Sequence, residues 1–192
     1  MTSNPEHPAR RSPRLIGYNY AQSGAYFVTI CTHQRLERFG AVSDGVMQLN
    51  ALGQIAEYCW SQIPSHFSHV ELDLSVVMPN HVHGIVLISN PADGLRRDTI
   101  YRVPTPATAP ADPTPQETFS RPVVGSFAAI IRSYKATVTR EMNRRLPNEA
   151  FPLWQGRYHD HIIRNEADLN RIQEYVINNP ARWHEDVFYG AG

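Results

Sequence analysis

The hydrophobic positions of this chain change period along its length, and each period predicts an element. Gly24 to Thr32 is a nearly continuous apolar and β-branched run, and reads as a buried strand. Asn50 then precedes Leu52, Ile55, Ala56, Cys59, Trp60 and Ile63, a spacing of three and four that predicts a helix with Asn50 as its cap. Val70–Val77 and Val82–Ile88 are strand-like and separated by Met78-Pro79-Asn80, a tight-turn sequence, so they predict a hairpin. Helical spacing returns with Phe127, Ile130, Ile131, Tyr134, Val138 and Met142. Arg157–Ile163 predicts a further strand. Asn165, with Asp168 three residues on, opens a last helix that runs to about Asn178 and is stopped by Pro180. On that helix Leu169, Ile172, Gln173 and Val176 form the buried stripe.

The order strand, helix, strand, strand, helix, strand is the split βαβ pattern. It predicts an α+β, ferredoxin-like fold: an antiparallel sheet with two helices on one face and an extra C-terminal helix. Two stretches fall outside it. Residues 1–17 read as a flexible basic arm, and 91–122, which hold nearly half of the fifteen prolines, as a disordered insertion. The expected single domain is therefore 18–90 together with 123–189.

Composition narrows the function. At 192 residues one core is the natural expectation, and no apolar run reaches membrane-spanning length. The start of the chain, Met1 to Arg14, lacks the apolar core of a secretory signal, and Cys31 and Cys59 lack metal-type spacing, so both point to a reducing cytoplasm. Net charge is zero, but its distribution is uneven. Residues 41–90 carry no Lys or Arg, whereas Arg10, Arg11 and Arg14 crowd the arm and Arg132, Lys135, Arg140, Arg144 and Arg145 crowd one helix. Such asymmetry suits a face that meets nucleic-acid phosphates, and equally a solvated helix face.

The strongest chemical signal is His81-Val82-His83 at the start of the second hairpin strand. Alternation along a strand puts both imidazoles on one face, with Val82 packed on the other. That makes half of a divalent-metal site, or a pair of half-buried histidines with no ligand. Tyr175 and Asn179 lie four residues apart on one flank of the last helix. Alone, the tyrosine reads as packing at the margin of a core and the asparagine as a helix-end cap. His159-Asp160-His161 repeats the His-x-His spacing around a charged residue, so it reads as partly exposed and structural. Tyr134 and Tyr158 are the rival tyrosines, the first on an apolar stripe and the second in a strand.

Several motifs together resemble a known family. Met78-Pro79-Asn80-His81-Val82-His83 and Tyr175-Val176-Ile177-Asn178-Asn179-Pro180 are similar to the signatures of the single-tyrosine HUH transposases, and more closely of the REP-associated tyrosine transposases. Arg11–Tyr18 followed by Gly24–Thr29 resembles the family's start, and Leu153–Asn165 its late signature, so the resemblance spans nearly the whole chain. It implies Tyr175 as a nucleophile that cuts single-stranded DNA and keeps a 5′-phosphotyrosine. It implies His81, His83 and Asn179 as ligands of Mg²⁺ or Mn²⁺, a set with no negative charge and so of modest affinity. It implies hairpin DNA of repetitive extragenic palindromes as partner, with Arg10, Arg11 and Arg14 on a single-stranded guide and Arg132, Lys135 and Arg140 on hairpin phosphates. Relatives act as monomers or homodimers, and both states remain open. So does a hairpin-binding protein that has lost cleavage. An RNA-binding ferredoxin-like domain is disfavoured, because the sheet lacks the aromatic signature that stacks bases.

Overall fold

The computed structural model describes residues 18–89, 122–148 and 151–190. The expected arm, 1–17, and nearly all of the expected insertion, 91–122, lie outside the described residues, as do Arg10, Arg11 and Arg14.

Four strands form the main sheet: β1 (Gly24–Cys31), β4 (Val70–Met78), β5 (His81–Ile88) and β6 (His159–Ile163), in the order β4-β5-β1-β6. Every pairing is antiparallel. With helix α1 (Ala51–Ser61) between β1 and β4, and α3 (Phe127–Arg145) between β5 and β6, this is the ferredoxin-like arrangement that the sequence predicts.

The two faces of the sheet carry separate cores. On one, α1 and α3 pack Leu52, Ile55, Trp60, Phe127, Ile131 and Val138 against Val28, Ile30, Val82 and Val86. On the other, helix α4 (Glu166–Asn178) sets Leu169, Ile172 and Val176 on Ala25, Ile85 and Ile163. Alternation along β5 decides which face each residue serves: Val82 enters the first core, His81 and His83 look to the α4 side. Gly84, next after His83, faces the first core and must lack a side chain. A Cβ there would stand 2.1 Å from the Trp60 ring, which fills the space that a side chain would take.

Caps fix the helix starts where the sequence places them. Asn50 Oδ1 accepts from the Gly53 amide at 2.9 Å, and Asn165 Oδ1 accepts from the Asp168 amide at 2.9 Å. Asp168 also accepts from His161 Nε2 at 2.7 Å and Arg171 at 2.6 Å, so the first turn of α4 is tied to β6. At the other edge of the sheet, Gln173 donates to Asp73 on β4 at 2.6 Å. Gln173 is thus half-buried at the margin of the stripe rather than inside it.

The structure adds elements that the pattern did not predict. The first helix ends at Ser61; Ile63 opens a separate turn, α2 (Ile63–His66), with Pro64 in its first positions. A small hairpin, β2 (Gly40–Ser43) with β3 (Val46–Leu49), precedes α1. Its turn residues Asp44 and Gly45 have φ of 53° and 73°, the left-handed pair of a type I′ turn. The last strand begins at His159, two residues later than Arg157; ahead of it, Trp154 forms an isolated bridge to Thr32, just past the end of β1.

Candidate functional site

His81 and His83 open β5 immediately after the two-residue turn Pro79-Asn80, on a strand that is paired on both sides. Their rings lie 4.3 Å apart and both are fully buried. The Asn80 side chain fixes how His81 presents itself. Asn80 Nδ2 donates to the Phe188 carbonyl at 2.8 Å, so its Oδ1 is the end that faces His81 Nδ1, also at 2.8 Å. His81 Nδ1 therefore carries the proton, and the lone pair sits on Nε2. That Nε2 is buried and makes no hydrogen bond among the described residues.

His83 Nδ1 pairs with Thr29 Oγ1 of β1 at 2.9 Å, and its Nε2 stands 3.2 Å from the Tyr175 hydroxyl. Tyr175 reaches the histidines because α4 lies across this face, and its ring also meets Phe27 edge-on. One turn further along, Asn179 is buried under the segment that follows the helix.

That segment supplies a residue that the sequence reasoning missed. After Pro180 the chain turns back through a short 3-10 turn, Trp183–Glu185, and returns over the site. Asp186 Oδ2 accepts from Asn179 Nδ2 at 2.6 Å and from the Tyr175 hydroxyl at 3.3 Å; its other oxygen accepts from the Phe188 amide at 2.8 Å. Trp183 and Phe188 cover His81, with ring separations of 5.9 and 4.7 Å. Ligand-type atoms of His81, His83 and Asp186 all lie within 4.8 Å of one another. Asp186 sits in an irregular stretch without periodicity, so no pattern in the sequence marks it.

Burial pushes the His81 imidazole down to about 3, against an opposing pull from the Asn179 amide. Burial, and then the neighbouring His81, push His83 down as well. Both rings are neutral at physiological pH, which is the metal-binding form. Tyr175 is raised above its ordinary value, first by burial and next by the Asp186 charge, so its phenol is protonated.

The donor set suits a divalent cation. Two neutral imidazoles, one with its buried Nε2 unpartnered, converge with one carboxylate; the unpartnered Asn179 Oδ1 is a further oxygen of the site, and the carboxylate supplies the charge that two imidazoles and an amide lack. Beside the cluster opens a groove of about 380 Å³, lined by Tyr175, Asn179 and Asp186 with Arg171 and Arg182.

The other candidates stand elsewhere. Arg132, Lys135 and Arg140 lie on α3, which packs on the opposite face of the sheet from Tyr175. Arg132 and Arg140 are exposed. Lys135 is committed inward: it donates to the Gln155 carbonyl at 2.6 Å, and burial pulls its amine down to about 8. Tyr134 is buried and donates to the Ala56 carbonyl at 3.2 Å, and Tyr158 packs edge-on against Phe127, so both rivals belong to the other core. His159 and His161 are exposed on β6.

No family model matches the chain. An uncharacterized protein of Haemophilus influenzae is 38% identical over 180 residues, 94% of this chain and 93% of that protein. Among solved structures, a REP-associated tyrosine transposase bound to a REP hairpin superposes with a TM-score of 0.54 at 16% identity, over 93% of this chain and 88% of that one. A candidate transposase from Deinococcus radiodurans gives 0.45 at 18% identity, over 86% of this chain and 95% of that one.

Proposed function

The chain belongs to the same family as the Haemophilus influenzae protein and has the fold of the REP-associated tyrosine transposase, and from that premise we propose that it cleaves and rejoins single-stranded DNA at REP-type hairpins. The observation that carries this reading is the Tyr175 hydroxyl, 3.2 Å from His83 Nε2 and 3.3 Å from Asp186 Oδ2, beside an open groove.

In this reading Tyr175 Oη attacks the scissile phosphorus. A tyrosyl–phosphate bond forms, the bond to the 3′-oxygen breaks, and the 5′ side of the DNA stays on the protein. Asp186 is placed to take the phenolic proton, since its Oδ2 already accepts from that hydroxyl. Burial and the Asp186 charge keep the phenol protonated in the free protein. Attack by a free 3′-hydroxyl on the phosphotyrosine reverses the step and joins strands without another energy source. His81 and His83, with Asp186 or Asn179, would hold a Mg²⁺ or Mn²⁺ ion, which polarises a phosphate oxygen when bound. Asn80 and Thr29 act before any substrate arrives, by fixing the two imidazoles. Exposed Arg132 and Arg140 on α3 are offered as contacts to hairpin phosphates, and Arg10, Arg11 and Arg14 to a single-stranded guide. No helix among the described residues is long and apolar enough to cross a membrane, and the place of action proposed is the cytoplasm, as monomer or homodimer.

The test is incubation with a labelled single-stranded REP-type hairpin and Mn²⁺, run on a denaturing gel. A covalent protein–DNA band is expected, absent in Tyr175→Phe and in the double variant His81→Ala/His83→Ala. Tight hairpin binding with no covalent band or cut strand would replace this reading with that of a hairpin-binding protein.

A further inference from the structure

The His33–Arg35 turn, just after β1, holds two consecutive non-glycine residues in the left-handed region: Gln34 at φ 56° and Arg35 at φ 57°. L-residues adopt this conformation at a cost, and it persists where the surrounding structure or a function requires it. The turn delivers the Arg35 side chain to the site. Its guanidinium carbon lies 5.0 Å from the centre of the Phe188 ring, and that ring stands 4.7 Å from His81 and 6.2 Å from His83. Arg35 is only partly exposed. Its side chain makes no hydrogen bond or ion pair with any described residue, so five N–H donors are offered against a single aromatic face. Arg38 stands in the same way over Phe151, at 4.1 Å, but that ring packs against the core on the opposite face of the sheet from the histidines. Elsewhere in the protein arginines near carboxylates take them, as Arg171 takes Asp168 and Arg144 takes Glu141.

We propose that Arg35 is a phosphate-binding residue of the DNA site. It holds the phosphate that neighbours the one Tyr175 attacks. The Phe188 ring stands between the guanidinium and the imidazoles, so its ligand is a different phosphate from the one at the histidines. A planar fork of donors suits two phosphate oxygens at once, and the aromatic face beneath holds the fork in place without competing for its hydrogens. Arg35 is thus a positioning residue. The inference rests on the strand-cleavage reading above.

The strained turn makes the test selective. Arg35→Gly removes the side chain and also the left-handed penalty, so the folded protein keeps or gains thermal stability. Arg35→Lys keeps the charge and loses the fork. Binding of a labelled single-stranded hairpin is measured by anisotropy across a salt series, without divalent metal, for wild type and both variants. Mn²⁺ affinity and melting temperature are measured alongside. We expect Arg35→Gly to bind DNA about tenfold more weakly, with the slope of log K against log salt reduced by about 0.7, the value for one single-strand phosphate contact. Arg35→Lys restores the slope but only part of the affinity. Mn²⁺ affinity and melting temperature stay at or above the wild-type values. Unchanged DNA affinity and slope in Arg35→Gly would overturn the proposal, and so would a loss of Mn²⁺ affinity or stability that accounts for the weaker binding. Covalent adduct formation by wild type reports separately on the cleavage reading. An adduct with an unaltered salt slope in Arg35→Gly sinks this inference alone; no adduct together with no DNA binding by wild type sinks both.

Discussion

Asn179 Nδ2 donates to Asp186 Oδ2 at 2.6 Å, and this one hydrogen bond orients the amide. A carboxylate only accepts, so the nitrogen must face it, and the amide oxygen is turned away as a buried atom without a partner. Asp186 thereby presents Asn179 Oδ1 as a ligand-type oxygen while standing close enough to be a ligand itself.

Asp186→Asn should therefore weaken Mn²⁺ binding in two ways, by removing a charge and by freeing the Asn179 amide to turn over. A loss of about 10- to 100-fold is expected, the range found when an outer partner of a metal ligand is removed. Calorimetric titration with Mn²⁺ checks it. Unaltered affinity would remove Asp186 from the metal site and leave it its hydrogen bonds to Tyr175, Asn179 and the Phe188 amide.

Gly84→Ala tests how the sheet supports the site from behind. The new methyl group meets the Trp60 ring, which is held between the sheet and α3 by its edge-on contact with Tyr134 at 5.1 Å. Overpacking of this kind costs about 1–3 kcal/mol. Urea unfolding should show a lower midpoint with an unchanged slope, and Mn²⁺ affinity should also fall because His83 precedes the displaced residue.

Acid stability should depend on Asp168. Burial raises its carboxyl, but hydrogen bonds from His161 and Arg171 outweigh this and leave it below the ordinary value of 3.8. A carboxylate depressed in the folded state stabilises that state above its unfolded value, and the contribution disappears as pH falls through the folded one. The stability difference between wild type and Asp168→Asn should thus be largest above about pH 5 and shrink steadily below pH 4. Unfolding measured at closely spaced pH values checks this. A difference that does not vary with pH would mean that Asp168 acts only through its neutral contacts.

The fold was legible because its determinants are local and periodic. Alternation at His81-Val82-His83 gave the shared face, and Asn50, Asn165 and Pro180 bounded helices by capping and by the missing amide. The β2–β3 hairpin carried its own signal, Asp44-Gly45 between Val42 and Val46, but strands of four residues are too short for alternation to stand out. Asp186 and Arg35 were illegible for a different reason. Neither belongs to a periodic element: Asp186 is placed by Trp183 and Phe188 anchoring a returning segment, and Arg35 by a left-handed turn. The partners of Lys135 were also illegible. Its charge and helix position suggested a phosphate contact, whereas the loop carbonyls of Gln155 and Gly156, remote in sequence, turn it inward.

In the proposed reaction Tyr175 forms the covalent bond to DNA. The most direct measurement is to trap protein with a single-stranded REP-type hairpin and Mn²⁺, digest both components, and locate the nucleotide-bearing peptide by mass spectrometry. A phosphonucleotide on Tyr175, attached through the 5′ side of the cut, is the expected result. A nucleotide on Tyr158, on a histidine or on a serine, with Tyr175 unmodified, would contradict the account.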